Sequence, residues 1–158
     1  KQNNKVAIIM GSQSDYPVMK DAEKILKILK IKFEVLTISA HRTPKRMFEF
    51  AENAAKKGFA VIIAGAGGAA HLPGMVSSLA TVPVIGVPIE SKKLKGLDSL
   101  LSIVQMPKGC PTATMAINGS FNAGLYAASI IGTFDTKVRS NLEKWKRIQT
   151  QSIKKKPK

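Results

Sequence analysis

The feature that most constrains this chain of 158 residues is a repeated order of short apolar segments and amphipathic segments. Segments 6–10, 33–38, 59–64 and 82–87 are short, rich in Val, Ile and Ala, and bounded by Gly, Ser or Pro. Such segments predict strands that are buried on both faces. Because residues at helical spacing separate them, the sequence predicts an α/β fold with a parallel sheet and helices on both faces.

The predicted helices follow the strands in turn. We expect Ser14 or Asp15 to cap the first, which carries apolar residues from Val18 to Leu29 on one face. The other predicted helices cover residues 43–58, 72–80, 96–104 and 121–131, with a charged helix after them, and a fifth strand is predicted over 112–117.

The C-terminal third leaves two alternatives open. The segment 121–131 is rich in Ala, Gly and Ser, which allows close backbone approach in the core or at a subunit interface. The last helix carries an apolar stripe of Phe134, Val138, Leu142 and Trp145, which predicts docking either on a neighbouring subunit or on the chain's own core. We expect one domain over 1–158, with an ordered core at 6–150 and a basic, flexible tail at 151–158.

Composition narrows the class of partner. The net charge is +15, but only four of the 25 basic residues are arginine and aromatic residues make up 6%. Proteins that bind specific nucleic-acid sequences favour arginine guanidinium groups and stacking aromatic side chains. We therefore expect the lysines to lie on solvent-exposed faces, where they attract an anionic substrate. We expect only weak, nonspecific nucleic-acid binding. With 44% hydrophobic residues and no apolar segment near 20 residues, we expect a cytoplasmic protein without a membrane partner. The single cysteine, Cys110, cannot form a disulfide within the chain, which agrees with a cytoplasmic location.

His41 and His71 are the only two histidines, and each follows a predicted strand. Because the carboxyl ends of parallel strands lie at one edge of a sheet, the loops after the first three strands should meet there. Imidazole is the side chain best suited to moving protons near neutral pH. We therefore expect one site that holds an anion and moves a proton.

Two of these loops suit a phosphate. The Gly11–Asp15 turn opens a helix, so its N–H groups and the Ser12 and Ser14 hydroxyls suit a phosphate, and Asp15 suits sugar hydroxyls. A plain helix cap is the alternative. Arg42, after Ser39-Ala40-His41, offers a planar fork for phosphate or carboxylate. The alternative there is a capping Ser and a surface Arg.

The third loop, from Gly65 to His71, could close over a ligand, or its glycines could only allow tight packing. His71 could donate to a substrate carboxylate or only order the loop. Two histidines without Cys partners or HExxH spacing do not indicate a metal site. The chain has no G-x-S-x-G elbow, and Cys110 has no neighbouring His, so covalent catalysis is not favoured.

Four motifs together carry a family resemblance. They are MGSQSD at 10–15, SAHRTP at 39–44, AGAGGAAHLPGM at 64–75 and SIVQMPKG at 102–109, in that order. The chain closely resembles the class I N5-carboxyaminoimidazole ribonucleotide (N5-CAIR) mutases of bacterial purine biosynthesis from about Val6 to Trp145. The family is also called the phosphoribosylaminoimidazole carboxylase catalytic subunit.

The resemblance implies a three-layer flavodoxin-like fold, a homo-octamer with sites at subunit junctions, and no metal or organic cofactor. It implies an isomerase that moves a carboxyl group from N5 to C4 of the aminoimidazole, with His41 as general acid and base. The implied substrate-binding residues are Ser12, Ser14, Asp15, Ser39, Ala40, Arg42, Gly67, Gly68, His71 and Leu72.

Two other functions stay open. A class II enzyme would carboxylate aminoimidazole ribonucleotide with free CO₂, and a nucleotide-binding protein of the same fold would only bind. Cys110 and Thr112-Ala113-Thr114 depart from the family pattern, which affects the expected subunit contacts more than the chemistry.

Overall fold

The computed structural model describes residues 4–156, which form one five-stranded, wholly parallel sheet in the order β2-β1-β3-β4-β5. The strands are Lys5–Met10 (β1), Phe33–Thr37 (β2), Phe59–Gly67 (β3), Val84–Ile89 (β4) and Ala113–Thr114 (β5). The helices are Tyr16–Ile28 (α1), Pro44–Asn53 (α2), Leu72–Leu79 (α3), Leu97–Val104 (α4), Ser120–Ile131 (α5) and Thr136–Ser152 (α6). This is the flavodoxin-like strand order, so the predicted fold class is confirmed.

The alternation of side chains along the strands builds two cores. Ile8 and Ile63 point to one face, where they pack with α1 and α5, whereas Ile9 and Ile62 point to the other, where α2 and α3 cover them. All four are fully buried. The strand order reverses between β1 and β3, and the crevice beyond the carboxyl ends at such a point is where ligands bind in open parallel sheets.

The predicted bounds of the third and fourth strands are wrong. The third strand was expected to end at Ala64, but β3 continues to Gly67, because Ala66 and Gly67 pair with Pro88 and Ile89 of β4. The flexible loop therefore shrinks from seven residues to the short turn before His71. Pro88 fits within β4, which runs to Ile89 instead of ending at Val87, because β5 ends before it and no ladder partner needs its missing N–H.

Other helix and strand ends also differ from the sequence prediction. The strand expected over 112–117 reduces to the two residues of β5. The helix expected to reach Gly58 ends at Asn53, and turns lead to Gly58, whose φ of 84° suits glycine. At the C-terminus, α6 continues to Ser152, so the first residues of the expected tail are helical. The prediction for the rest of the tail includes residues 157–158, which lie outside the described residues, as do residues 1–3 of the polar N-terminus.

The small-residue segment and the apolar stripe both pack within the chain. Gly124 of α5 is buried against α1, where a Cβ would overlap Ile25 Cγ2 and approach the Ala22 carbonyl oxygen at 3.3 Å. Val138 and Leu142 of α6 are buried in the core beside α5. Val138 and Leu142 therefore pack in the chain's own core, and docking of the last helix on a neighbouring subunit stays a prediction.

No helix within residues 4–156 is both long enough and apolar enough to cross a bilayer.

Candidate active site

A cavity of about 430 Å³ opens at the carboxyl ends of β1, β2 and β3. The three loops that the sequence predicted to meet do meet here. The lining residues are Gly11, Ser12, Ser14, Asp15, Ser39, Ala40, His41, Arg42, Ala66, Gly67, Ala69, His71 and Leu72. Every predicted site residue lines the cavity except Gly68. Gly11, Ala66 and Ala69 line it too, although the sequence reasoning did not single them out.

The two histidines contact each other across the cavity. His41 Nε2 and His71 Nδ1 lie 2.8 Å apart, and the ring planes meet at 80°. Since one proton occupies such a hydrogen bond, one imidazole donates and the other accepts. Each ring keeps its other nitrogen for a further partner. Both rings are exposed, so a ligand in the cavity can reach the pair.

Arg42 is held in place by the two serine-bearing loops. Its Nη2 donates to the Gly11 carbonyl oxygen at 2.6 Å, and its Nε lies 3.4 Å from Ser39 Oγ. Ser39 Oγ also accepts the Arg42 backbone N–H at 3.1 Å. Ser39 therefore closes the turn before α2 without capping that helix, whose N-cap is Thr43, and Arg42 is not a free surface side chain. Its guanidinium joins the loop after β2 to the end of β1 and faces the cavity.

The Gly11–Asp15 turn is organised by Ser12 instead of by the residues expected to cap the helix. Ser12 Oγ accepts from the Ser14 N–H at 3.3 Å and lies 3.0 Å from Ser14 Oγ, closing a short 3-10 turn over Gln13–Asp15. Asp15 occupies the predicted N-cap position of α1, but its side chain makes no cap hydrogen bond. Its carboxylate is left for the cavity.

The electrostatic setting of Asp15 is unusual for an acid near a cation. Burial raises the pKa of its carboxyl above the ordinary 3.8, although the Ser12 backbone N–H and the charge of Arg42 act in the opposite direction. Desolvation therefore outweighs attraction. A carboxylate in this state gains from any ligand hydroxyl that donates to it.

Ser99 of α4, which sequence reasoning missed, holds the turn before His71, and Ser102 of the SIVQMPKG motif lies beside it. Ser99 is fully buried, and its Oγ accepts the Gly68 N–H at 2.9 Å while donating to the Ile89 carbonyl oxygen at 2.6 Å. Ser102 Oγ lies 3.3 Å from the Gly68 carbonyl oxygen. Gly68 has a φ of +69°, which favours glycine. The only sequence signal for this role of Ser99 was a polar residue inside the largely apolar Leu97–Val104 segment.

Apolar atoms close the inner wall of the cavity. Ala40 and Leu72 are 7% and 2% exposed, so both present buried surface beneath the histidine pair. Gly67 is the last residue of β3, where a Cβ would lie 3.4 Å from the Ile89 carbonyl oxygen. Within residues 4–156, no three His, Cys, Asp or Glu side chains form a group that could hold a metal ion.

Comparisons with known proteins agree with this arrangement. An N5-carboxyaminoimidazole ribonucleotide mutase of Thermotoga maritima is 58% identical over 142 residues, covering 90% of this chain and 83% of that protein. The mutase of Escherichia coli K12 is 51% identical over 151 residues, covering 94% of this chain and 89% of that protein.

A solved structure shares the fold. The crystal structure of Treponema denticola PurE superposes with a TM-score of 0.85 at 26% identity, covering 93% of this chain and 92% of that one. The family model described as AIR carboxylase matches residues 5–152, which include every residue of the cavity. This chain belongs to the AIR carboxylase family.

Proposed function

We propose that this protein is an N5-CAIR mutase of de novo purine biosynthesis. The reaction moves a carboxyl group from the exocyclic N5 to ring carbon C4, giving 4-carboxy-5-aminoimidazole ribonucleotide (CAIR). The observation that carries the proposal is the His41–His71 pair, 2.8 Å apart, in one cavity with the Arg42 fork and the Ser12 and Ser39 hydroxyls. Relatives that are 51–58% identical carry the mutase name.

The ribose phosphate fits the serine and arginine end of the cavity. Ser12, Ser39 and Arg42 donate to the phosphate, and the Ser14 hydroxyl lies beside them. Asp15 accepts from the ribose hydroxyls. The ribose hydroxyls give the desolvated Asp15 carboxylate hydrogen-bond donors that the free protein supplies only in part. This need for donors fits the raised pKa of Asp15.

His41 carries the proton in both halves of the reaction. Protonated His41 gives its proton to N5 as the bond from N5 to the carboxylate carbon breaks, and the electron pair stays on nitrogen. This lyase-like step releases CO₂ and leaves aminoimidazole ribonucleotide. C4 then attacks CO₂ through the electrons of the amino-imidazole, and neutral His41 removes the C4 proton to restore aromaticity. The imidazole ends as it began, so the proton balance is zero.

The remaining residues orient the pair and retain CO₂. The hydrogen bond to His71 fixes which nitrogen of His41 faces the substrate. Ala40, Gly67 and Leu72 form a close wall around the base and its carboxylate, and Gly68 sets the turn that carries His71. CO₂ held against this wall meets C4 without a bimolecular encounter.

A homo-octamer is part of the proposal. Leu97, Leu101 and Val104 lie on one face of α4 and are 53%, 50% and 46% exposed. A continuous apolar face of this kind suits a subunit contact. The opposite face of α4 carries Ser99, which accepts a hydrogen bond from Gly68 in the turn before His71. A subunit contact on the apolar face of α4 would therefore lie next to the site. The phosphorylated substrate also fits a cytoplasmic location, because charged nucleotides do not cross a bilayer unaided.

The test separates binding from turnover. The wild-type protein is expected to convert N5-CAIR to CAIR, measured by chromatography of the product. His41→Asn is expected to lose at least about 100-fold in turnover, since general acid–base catalysis contributes that much or more. Calorimetry should show aminoimidazole ribonucleotide binding to both proteins with similar affinity. Equal turnover in the variant would remove His41 from the chemistry and overturn the mechanism.

A further inference from the structure

A second depression of about 370 Å³ continues the cavity on the side of α2. It shares Gly11, Ser12, Ser39 and Arg42 with the first, so the two form one connected surface. Its further lining residues include Arg46, in the first turn of α2. Arg46 was not among the residues that the sequence motifs pointed to.

Arg42 by itself does not match the charge of a phosphate. A phosphate monoester carries close to two negative charges at neutral pH. Arg42 brings one positive charge, and its Nη2 and Nε are already directed at Gly11 and Ser39. Among residues 4–156, Arg42 is also the only Lys or Arg that lines the first cavity. The second charge must come from a neighbouring group if the phosphate is to be neutralised.

Arg46 is placed to supply that charge. Its Nη1 donates to the Thr37 carbonyl oxygen at 3.1 Å, which anchors the guanidinium at the end of β2. Arg46 also lines the depression that Ser12, Ser39 and Arg42 line. A cation in the first turn of a helix opposes the helix dipole, so an anion beside it relieves this cost. The first turn of α2 holds no acidic residue.

We infer that Arg46 is a second phosphate-binding residue, which closes on the phosphate from the side opposite the histidine pair. The inference rests on the proposed function, because the phosphate is that of the ribonucleotide. Arg46 binds the part of the substrate that does not react, so its contribution falls on binding and not on the proton transfers.

The test compares Arg46→Gln with Lys45→Gln in the intact protein. Lys45 is the preceding residue of the same turn and is exposed, and it lines neither depression, so its variant loses the same charge without losing a ligand. Arg46→Gln is expected to raise the KM for N5-CAIR about 10- to 100-fold with kcat nearly unchanged, as for a lost charge-assisted hydrogen bond. Lys45→Gln is expected to change KM less than about threefold.

A binding probe keeps the inference separate from the proposed function. Ribose 5-phosphate and ribose are titrated by calorimetry into the wild-type protein and both variants. The preference for ribose 5-phosphate should fall in Arg46→Gln, recover in part in Arg46→Lys and persist in Lys45→Gln. If the wild-type protein shows this preference but no turnover, the mutase assignment fails and the role of Arg46 stands. If Arg46→Gln matches Lys45→Gln in both assays, the role of Arg46 is overturned.

Discussion

Ser99→Ala is the change that most directly tests how the turn before His71 is held. Ser99 sits fully buried between α4 and the sheet, and its hydroxyl makes two hydrogen bonds at once. It accepts from the Gly68 N–H at 2.9 Å and donates to the Ile89 carbonyl oxygen at 2.6 Å. The hydroxyl therefore ties the turn that carries His71 to the end of β4.

The magnitude follows from the groups that lose a partner. Alanine removes the hydroxyl and leaves the Gly68 N–H and the buried Ile89 carbonyl oxygen without a hydrogen-bond partner. Each such group that water cannot reach lowers the free energy of unfolding by about 1–3 kcal/mol. Gly68 is only half buried and can recover part of its bond with water. We expect the free energy of unfolding to fall by about 2–4 kcal/mol, which lowers Tm by about 5–15 °C for a chain of this length. The displaced His71 should lower kcat/KM by about tenfold or more.

The assay is thermal unfolding at one fixed protein concentration, followed by initial rates with N5-CAIR. Ser78→Ala is the matched control, because Ser78 is an exposed serine whose hydroxyl donates to the Met75 carbonyl oxygen. Its Tm should move by less than the equivalent of about 0.5 kcal/mol. If Ser99→Ala keeps both the Tm and the rate of Ser78→Ala, the turn is not held by α4 and the reasoning is refuted.

Three further changes test other parts of the molecule. Because burial raises the pKa of Asp15 above 3.8, ionised Asp15 lowers the stability of the folded state. Asp15→Asn should therefore have a higher Tm than wild type at pH 7, and the difference in Tm should close as the pH falls towards 3.8. A constant gap across the pH series would contradict this. Leu101→Asp, on the exposed α4 face, should convert the proposed octamer to smaller species in sedimentation velocity, and an assembly of unchanged size would exclude that face. Gly124→Ala should lower the denaturant midpoint by the equivalent of about 1–3 kcal/mol, since its methyl group would overlap Ile25, and an equal or higher midpoint would mean that α1 and α5 pack loosely.

The architecture was predictable because four apolar segments separated by helical patterns leave few folds. Their strand ends were less predictable. Small residues such as Gly65 and Ala66 are equally consistent with a loop or with a strand packed closely by its neighbours, and only pairing with β4 decides between them. The length of β5 likewise depends on tertiary pairing, because only Ala113 and Thr114 pair with Ile85 and Gly86 of β4.

The sequence predicted which loops form the candidate site, but not how their side chains contact one another. His41 and His71 were singled out because each follows a strand, yet no local pattern states that their rings meet across 30 residues of sequence. Ser99 and Arg46 were missed because each is ordinary in its own helix. Their contacts depend on how α4 and α2 lie against the sheet, which is a property of the tertiary packing.

A comparison of two substrates tests whether N5-CAIR is isomerised in this cavity. Purified protein is given N5-CAIR in one reaction and aminoimidazole ribonucleotide with bicarbonate in the other, and CAIR formation is measured in both. Rapid conversion of N5-CAIR, with little product from the second reaction, is the expected result. Preference for the second pair would indicate a carboxylase that uses free CO₂, and no CAIR in either reaction would contradict the enzymatic account and leave the cavity a binding role.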